Sequence, residues 1–174
     1  KAAPRIAGTA GIGHTRWATH GKPSRINAHP HLDCTGNIAV VHNGVITNYQ
    51  ELKQELVQEG HKFLSETDTE VISHLVEKYY KGDIVEAVNA ALARLEGSCA
   101  LIVLSSSESR LVAVRRDSPI VIGLGDRENF IASDVPAILS YTDRVIYMED
   151  DDMAVITRDK VDISHNKTKV TRQE

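Results

Sequence analysis

Apolar residues recur with helical spacing in the middle of the chain and with strand spacing on either side. Apolar positions at i, i+3 or i+4, and i+7 predict three one-sided helices over residues 48–59, 68–81 and 84–96. Each helix is preceded by a capping box, an N-cap residue followed three positions later by Glu or Gln. These pairs are Thr47 with Gln50, Thr67 with Glu70, and Asp83 with Glu86.

Short β-branched runs predict the strands. One run, from Thr9 to Trp17, leads into a loop, and a second covers 37–41 and ends at Asn43-Gly44, a turn signal. After the helices come seven predicted strands, over 98–105, 110–115, 120–124, 130–133, 144–148, 153–157 and 160–163. Helices followed by antiparallel strands favour an α+β fold. The acidic run Asp150–Asp152 is expected to be a solvated turn, and the polar residues 166–174 a linker.

Composition narrows the class of protein. The 174 residues suit one domain, and 41% hydrophobic and 25% charged residues are typical of a soluble globule. A net charge of −4 without a Lys/Arg cluster argues against nucleic acid. No apolar run approaches the ~20 residues of a membrane span and no signal peptide is evident, so we expect no membrane association and a cytoplasmic location. Two cysteines form no disulfide framework, and Cys99 is expected to be a core thiol.

The segment from His14 to Gly21 holds an arginine, two histidines, two threonines and the single tryptophan. This mixture does not fit a half-buried strand, which alternates polar and apolar residues. One interpretation is a binding loop in which Arg16 faces an anionic group. The alternative is an exposed Arg16 that stacks on Trp17.

Three further positions allow two interpretations each. Asn43 and Gly44 could donate hydrogen bonds to a developing oxyanion, or form a plain turn. Asp68 lies in the first turn of a predicted helix, where the dipole favours a carboxylate, but it could also bind a substrate amine.

Five of the eight histidines fall within the first 42 residues. His29 and His31 could be two ligands of a metal on an extended segment. Because only Asp33 and Cys34 lie nearby as further ligands, hydrogen bonding of these histidines to loop carbonyls is the favoured interpretation and no metal is predicted.

Several motifs occur together and in order. They are residues 13–21 (GHTRWATHG), 27–31 (NAHPH), 40–44 (VVHNG) and 65–72 (SETDTEVI), extended by 118–125 and 128–134. From about residue 11 to 165 the chain resembles the class II, or N-terminal-nucleophile (Ntn), glutamine amidotransferases. The motif sequences are most similar to those of the branch that uses fructose 6-phosphate. The resemblance implies the four-layer αββα sandwich of that superfamily.

The resemblance also implies roles for individual residues. Arg16 would bind the α-carboxylate of L-glutamine as a bidentate clamp, and Asp68 would bind its α-ammonium group. Asn43 and Gly44 would form the oxyanion hole.

Three residues of the same motif would complete the glutamine site. Thr19 and His20 would line it, and Trp17 would belong to a loop that closes over it. Closure would shield the thioester intermediate and the released ammonia from water.

One departure from the family concerns the nucleophile. The family uses a cysteine at the mature N-terminus, activated by its own α-amino group, whereas this sequence begins with Lys1. Cys34 lies in a predicted loop and Cys99 in a predicted strand, so neither fits. We therefore expect residues 1–165 to be an amidotransferase domain without its first strand–helix segment, and 166–174 to lead to an absent sugar-isomerase domain.

The resemblance thus implies a glutaminase domain that supplies ammonia for the conversion of fructose 6-phosphate to glucosamine 6-phosphate, with no cofactor, in a full-length homodimer. The chain alone is expected not to hydrolyse glutamine. Two alternatives remain open at this point, a non-catalytic glutamine-binding or regulatory module and a metalloenzyme that uses the histidine cluster.

Overall fold

The computed structural model describes residues 8–17 and 20–174. Three helices and two antiparallel sheets form the fold. The helices are α1 (Tyr49–Gln58), α2 (Glu70–Tyr79) and α3 (Ile84–Leu92). The larger sheet contains, in spatial order, β1 (His31–Leu32), β2 (Ile38–Ile46), β3 (Gly97–Ser105), β4 (Leu111–Arg116), β8 (Asp152–Ile156), β9 (Val161–His165) and β10 (Thr168–Val170). The smaller sheet contains β6 (Asn129–Ala132), β5 (Val121–Leu124) and β7 (Val145–Tyr147).

The central strands of the larger sheet are buried on both faces. On β3, Leu101 and Val103 belong to the core shared with the helices, whereas Ala100 and Ile102 contact the core shared with the smaller sheet. This alternation explains why β3 is a continuous apolar run. The α+β class is confirmed. Of the four expected layers, the described residues form one helical layer and two sheets, and a short 3-10 helix, Val135–Ala137, packs in a third cluster with Val121.

Of the three predicted capping boxes, the described residues show only the N-cap half of one. The Asp83 carboxylate accepts hydrogen bonds from the backbone N–H groups of Val85 and Glu86. Thr47 does not cap α1, because the N-cap residue of this helix is Asn48, and Asn48 makes no side-chain cap hydrogen bond. The Thr47 backbone N–H, which Gln50 would bind in a capping box, pairs with the Glu96 carbonyl. The Thr67 hydroxyl is likewise used elsewhere, since it pairs with His31 Nε2 at 2.9 Å.

The Asn43-Gly44 turn predicted from the sequence is wrong. Both residues lie inside β2, where they pair with Ala100 and Cys99 of β3. Gly44 has a φ of +131°, and a Cβ there would overlap the Ser98 carbonyl oxygen. The glycine is therefore required by the close approach of two backbones, and not by a change of chain direction. Within the described part of residues 9–17, the expected strand is also absent.

The C-terminal region differs from prediction at two places. Asp152 is fully buried, contrary to the solvated turn, and it accepts hydrogen bonds from Arg172 and from the backbone N–H of Glu149. Burial alone would raise the pKa of Asp152, but these hydrogen bonds and one with His165 lower it overall. Residues 168–170, expected within a linker, pair with β9. Among the described residues, no helix has both the length and the apolar character needed to cross a membrane.

Candidate functional site

A cavity of about 270 Å³ lies where the His14 loop, the end of β2 and the start of α2 meet. Six of the seven site residues proposed from the sequence line it, and the seventh, Thr19, lies outside the described residues. The lining residues are His14, Arg16, Trp17, His20, His29, His42, Asn43, Gly44, Thr67, Asp68 and Thr69. This volume suits a ligand the size of one amino acid, since drug-sized ligands occupy roughly 300–1,000 Å³.

Arg16 is held by the loop that carries it. Its φ is +42°, a left-handed conformation that is uncommon outside glycine. The guanidinium donates to the carbonyl oxygens of His20, Gly21 (3.0 Å) and Lys22 (3.5 Å). These bonds use three of its five N–H groups and fix the cation at the cavity wall.

His14 connects the Arg16 backbone to the Asn43 side chain. The Arg16 backbone N–H donates to His14 Nδ1 at 2.8 Å, so Nδ1 is the acceptor and the proton of the neutral ring lies on Nε2. Nε2 therefore donates to Asn43 Oδ1, at 2.6 Å. With its oxygen held by His14, the Asn43 amide NH₂ is the group that remains for the cavity.

Asp68 contributes a buried carboxylate to the same cavity that Arg16 lines. The residue is 3% exposed, and Oδ2 accepts a hydrogen bond from the Ile46 backbone N–H at 2.8 Å. Oδ1 lies 3.6 Å from His20 Nδ1, too far for a hydrogen bond. The His20 ring packs edge-on against Tyr49, at 5.1 Å between centroids.

The histidines beside the cavity pack their rings against one another. His29 stacks on His14 at 4.5 Å and meets His31 edge-on at 4.9 Å. Burial, together with His14, His31 and His42, lowers the pKa of His29 to about 3. Burial also lowers the pKa values of His31 and His42, although nearby carboxylates partly oppose this.

The ring nitrogens of this stack are used for hydrogen bonds. His29 Nδ1 accepts from the His42 backbone N–H, and His42 Nδ1 pairs with the Thr69 hydroxyl at 3.0 Å. Neither His29 nor His31 belongs to a converging group of His, Cys, Asp and Glu donors among the described residues. The metalloenzyme alternative built on His29 and His31 is therefore not supported.

Trp17 lies at the rim of the cavity with 93% of its surface exposed. The alternative of an Arg16–Trp17 stacking pair does not fit this exposure, because a ring stacked on a guanidinium would have one face covered. A nearly fully exposed tryptophan at a cavity mouth is a surface that a ligand or a closing loop can cover.

A second cavity, of about 480 Å³, adjoins the first between the two sheets. His14, Trp17, His42 and Asn43 line both. Neither cysteine lines either cavity: Cys99 is in the core between sheet and helices, and Cys34 lies in a turn beyond β1.

Sequence reasoning missed the hydroxyls that hold the site together. Thr67 and Thr69 flank Asp68, both are buried, and they bond His31 and His42. The signal was the Thr-Asp-Thr triplet itself, which was interpreted as a helix start. Ser98 was also missed; its hydroxyl accepts from the Val45 backbone N–H at 3.3 Å.

Residues 14–140 match the glutamine amidotransferase domain family. The chain belongs to this family. The matched range contains every proposed site residue, including Thr19.

Two similar curated proteins share the same name. A glutamine–fructose-6-phosphate aminotransferase (isomerizing) from Caldanaerobacter subterraneus subsp. tengcongensis is 56% identical over 158 residues, 90% of this chain and 26% of that protein. The protein of the same name from Aquifex aeolicus is 56% identical over 154 residues, 88% of this chain and 26% of its own length. The chain thus spans about a quarter of the length of the relatives it matches.

Solved structures agree on the fold. The glutamine phosphoribosylpyrophosphate amidotransferase of B. subtilis, complexed with ADP and GMP, superposes with a TM-score of 0.73 at 23% identity, over 87% of this chain and 34% of that one. This similarity shows that the chain shares the fold of that amidotransferase.

Proposed function

We propose that this chain binds L-glutamine as the glutaminase part of an enzyme that transfers ammonia to fructose 6-phosphate. The observation that carries the proposal is that a cation (Arg16), a buried anion (Asp68) and an oriented amide donor (Asn43) line one small cavity. An α-amino acid with a carboxamide side chain presents the complementary groups: an anion, a cation and a polar carbonyl.

Charge complementarity assigns the two ends of the substrate. The remaining Arg16 N–H groups bind the α-carboxylate, because a guanidinium matches a carboxylate in geometry and charge. Asp68 Oδ1 binds the α-ammonium group, since this oxygen has no hydrogen bond to His20 and is withdrawn from bulk water.

The reacting carboxamide then faces Asn43 and Gly44. The Asn43 NH₂, oriented by His14, and the Gly44 backbone N–H are the proposed donors to the oxyanion. Because β2 carries both residues in pairing with β3, the two donors need no rearrangement during the reaction.

The rim of the cavity supplies closure. Trp17, Thr19 and His20 are proposed to cover bound glutamine, and Trp17 has the exposed surface that such a movement would bury. Covering the site excludes water from a reactive acyl intermediate.

The proposal also covers the activity of the longer enzyme to which this chain would belong. We infer from the names of the relatives that the whole enzyme is a glutamine–fructose-6-phosphate aminotransferase of the isomerizing type. From the family resemblance of the sequence motifs we further propose that the ammonia converts fructose 6-phosphate to glucosamine 6-phosphate on a separate isomerase domain, in a cytoplasmic homodimer without a cofactor. The family mechanism requires a cysteine nucleophile, and neither Cys34 nor Cys99 lines the cavities. These 174 residues therefore bind glutamine without releasing ammonia.

Isothermal titration of the 174-residue chain with L-glutamine tests the proposal. We expect one site per chain, and Asp68→Asn to weaken binding by roughly 30-fold or more, since removing one partner of a buried charge pair costs about 2–5 kcal/mol. The matched control is Asp126→Asn, an exposed aspartate outside the cavity.

The affinity for L-glutamine is compared with the affinities for two further ligands. L-Glutamate, which lacks the amide, and D-glutamine, which misplaces the α-substituents, are expected to bind more weakly. Equal binding by wild type and Asp68→Asn would overturn the assignment of the ammonium site. Ammonia release by the wild-type chain would overturn the inference that it binds without turnover.

A further inference from the structure

A second group of polar side chains lies apart from the glutamine cavity. Cys34, His61, His74 and Glu77 each bring one donor atom to a common point, and these four atoms lie within 4.8 Å of one another. None of the four residues lines the glutamine cavity. They come from three separate segments, namely the turn after β1, the stretch after α1, and α2.

Local structure fixes each segment. The Asp33 carboxylate accepts hydrogen bonds from the Ile38 backbone N–H and the Thr35 hydroxyl, which holds the turn that carries Cys34. His61 follows Gly60, and its backbone N–H returns to the Leu56 carbonyl at the end of α1. His74 and Glu77 are three residues apart on α2 and so share one helix face.

The distances between the donor atoms bracket those of a tetrahedral metal site, and the shortest, between His61 and Glu77, is a hydrogen bond in the absence of an ion. Cys34 Sγ lies 3.5 Å from His74 Nδ1 and 3.7 Å from His61 Nδ1. Glu77 Oε2 lies 2.9 Å from His61 Nδ1 and 3.2 Å from His74 Nδ1. Around a tetrahedral Zn²⁺, neighbouring ligand atoms are separated by about 3.3–3.6 Å, given bonds of about 2.0–2.3 Å.

The surroundings orient the most buried donor. His74 is 1% exposed, and its Nδ1 faces the group while Nε2 lies 3.8 Å from Glu70 Oε1. Nε2 has no hydrogen-bond partner among the described residues. A histidine that binds zinc through one nitrogen commonly directs its other N–H to a carboxylate, which fixes the ring. Glu70 is itself held by the backbone N–H groups of Leu64 and Ser65.

From this convergence we propose that Cys34, His61, His74 and Glu77 bind a Zn²⁺ ion. A thiolate, two imidazoles and a carboxylate are ligands that zinc accepts together, and four protein ligands make a closed, structural site. The ion joins the β1 turn and the α1 end to α2. Since α2 directly follows Asp68 and Thr69, the site braces the helix that supports the glutamine cavity.

Metal binding by the complete chain tests the proposal. The purified chain is stripped with a chelator and titrated with Zn²⁺ alone. We expect one ion per chain by elemental analysis and a higher thermal midpoint with the ion bound. Cobalt(II) substituted for zinc is expected to show the visible absorption of a tetrahedral ion and a thiolate-to-metal charge-transfer band.

Matched variants separate this site from incidental binding. Cys34→Ala should abolish the charge-transfer band, whereas Cys99→Ala, which removes the other cysteine, should keep it. His61→Ala should weaken zinc binding by more than ~100-fold, the upper range for loss of an outer-shell partner, whereas His165→Ala should not.

Two results would overturn the assignment. One is a folded wild-type chain that takes up no zinc, and the other is a Cys34→Ala chain with an unchanged cobalt spectrum. Glutamine titration of the same preparations is a separate measurement, so failure of the metal proposal leaves the glutamine site to its own test.

Discussion

The two histidine-rich regions of this protein differ in how their ring nitrogens are used. In the stack beside the cavity, His29, His31 and His42 pair with backbone groups and threonine hydroxyls, each nitrogen in a different direction. In the second group, His61 and His74 direct Nδ1 to the same carboxylate oxygen of Glu77. The comparison teaches that convergence of donor atoms, and not the density of histidines along the sequence, indicates a metal site.

The two regions also differ in how closely other atoms approach the backbone. The largest loss of stability that we predict tests this difference. Gly44→Ala should destabilise the chain by more than ~4 kcal/mol, because the new Cβ would overlap the Ser98 carbonyl within a paired strand. Gly36→Ala, in the turn beside Cys34, meets no atom within 4 Å and carries only the left-handed penalty of about 1–2 kcal/mol. Urea unfolding of both variants measures the difference, and equal losses would contradict it.

Acidification should affect the cavity stack through His29. Its pKa is about 6.5 when exposed and about 3 in the fold, so the unfolded chain binds more protons between these values. Stability contributed by the neutral ring is complete above pH 6.5 and is lost as the pH falls towards 3. We expect His29→Asn to remove about 1–3 kcal/mol of the stability difference between pH 7 and pH 4.5.

The control for this pH experiment is Gln58→Asn, an exposed residue at the end of α1 that does not titrate. Urea midpoints at the two pH values should change with pH in this variant as they do in the wild type. An unaltered pH dependence in His29→Asn would show that the stack titrates normally and would remove the distinction drawn between the two regions.

The smallest predicted effect compares two hydroxyls. Thr67→Val leaves the buried His31 Nε2 and Ser65 hydroxyl without this partner and should cost about 1–3 kcal/mol. Thr35→Val removes an exposed hydroxyl that bonds Asp33 in the turn next to Cys34, and should cost less than about 1 kcal/mol. Thermal unfolding of the metal-free variants decides between this order and its reverse.

Periodic elements could be predicted from the sequence, whereas contacts between residues far apart in the chain could not. The three helices were predicted because their apolar faces repeat every three or four residues over several turns. Asn43-Gly44 was misinterpreted because its turn propensity is local, whereas its position in β2 depends on pairing with β3, more than 50 residues away. Such pairing is decided by tertiary contacts that no single segment encodes.

The same reasoning applies to the two sites. Arg16, Asn43 and Asp68 could be proposed because their motifs occur together in a known family, and the structure brings them to one cavity. His61, His74 and Glu77 were not singled out. They have no recognisable ligand spacing with Cys34 in the sequence, and they meet only when α2 packs beside the β1 turn.

The close approach of Gly44 to Ser98 has a consequence for protein engineering. Where two main chains meet without an intervening side chain, the position of Asn43 depends on the sheet and not on the choice of neighbouring residues. Libraries that aim to change which amide this protein accepts should therefore vary the loop around Arg16 and Trp17. They should leave residues 43–44 and Ser98 constant, because diversity there would be spent on chains that do not fold.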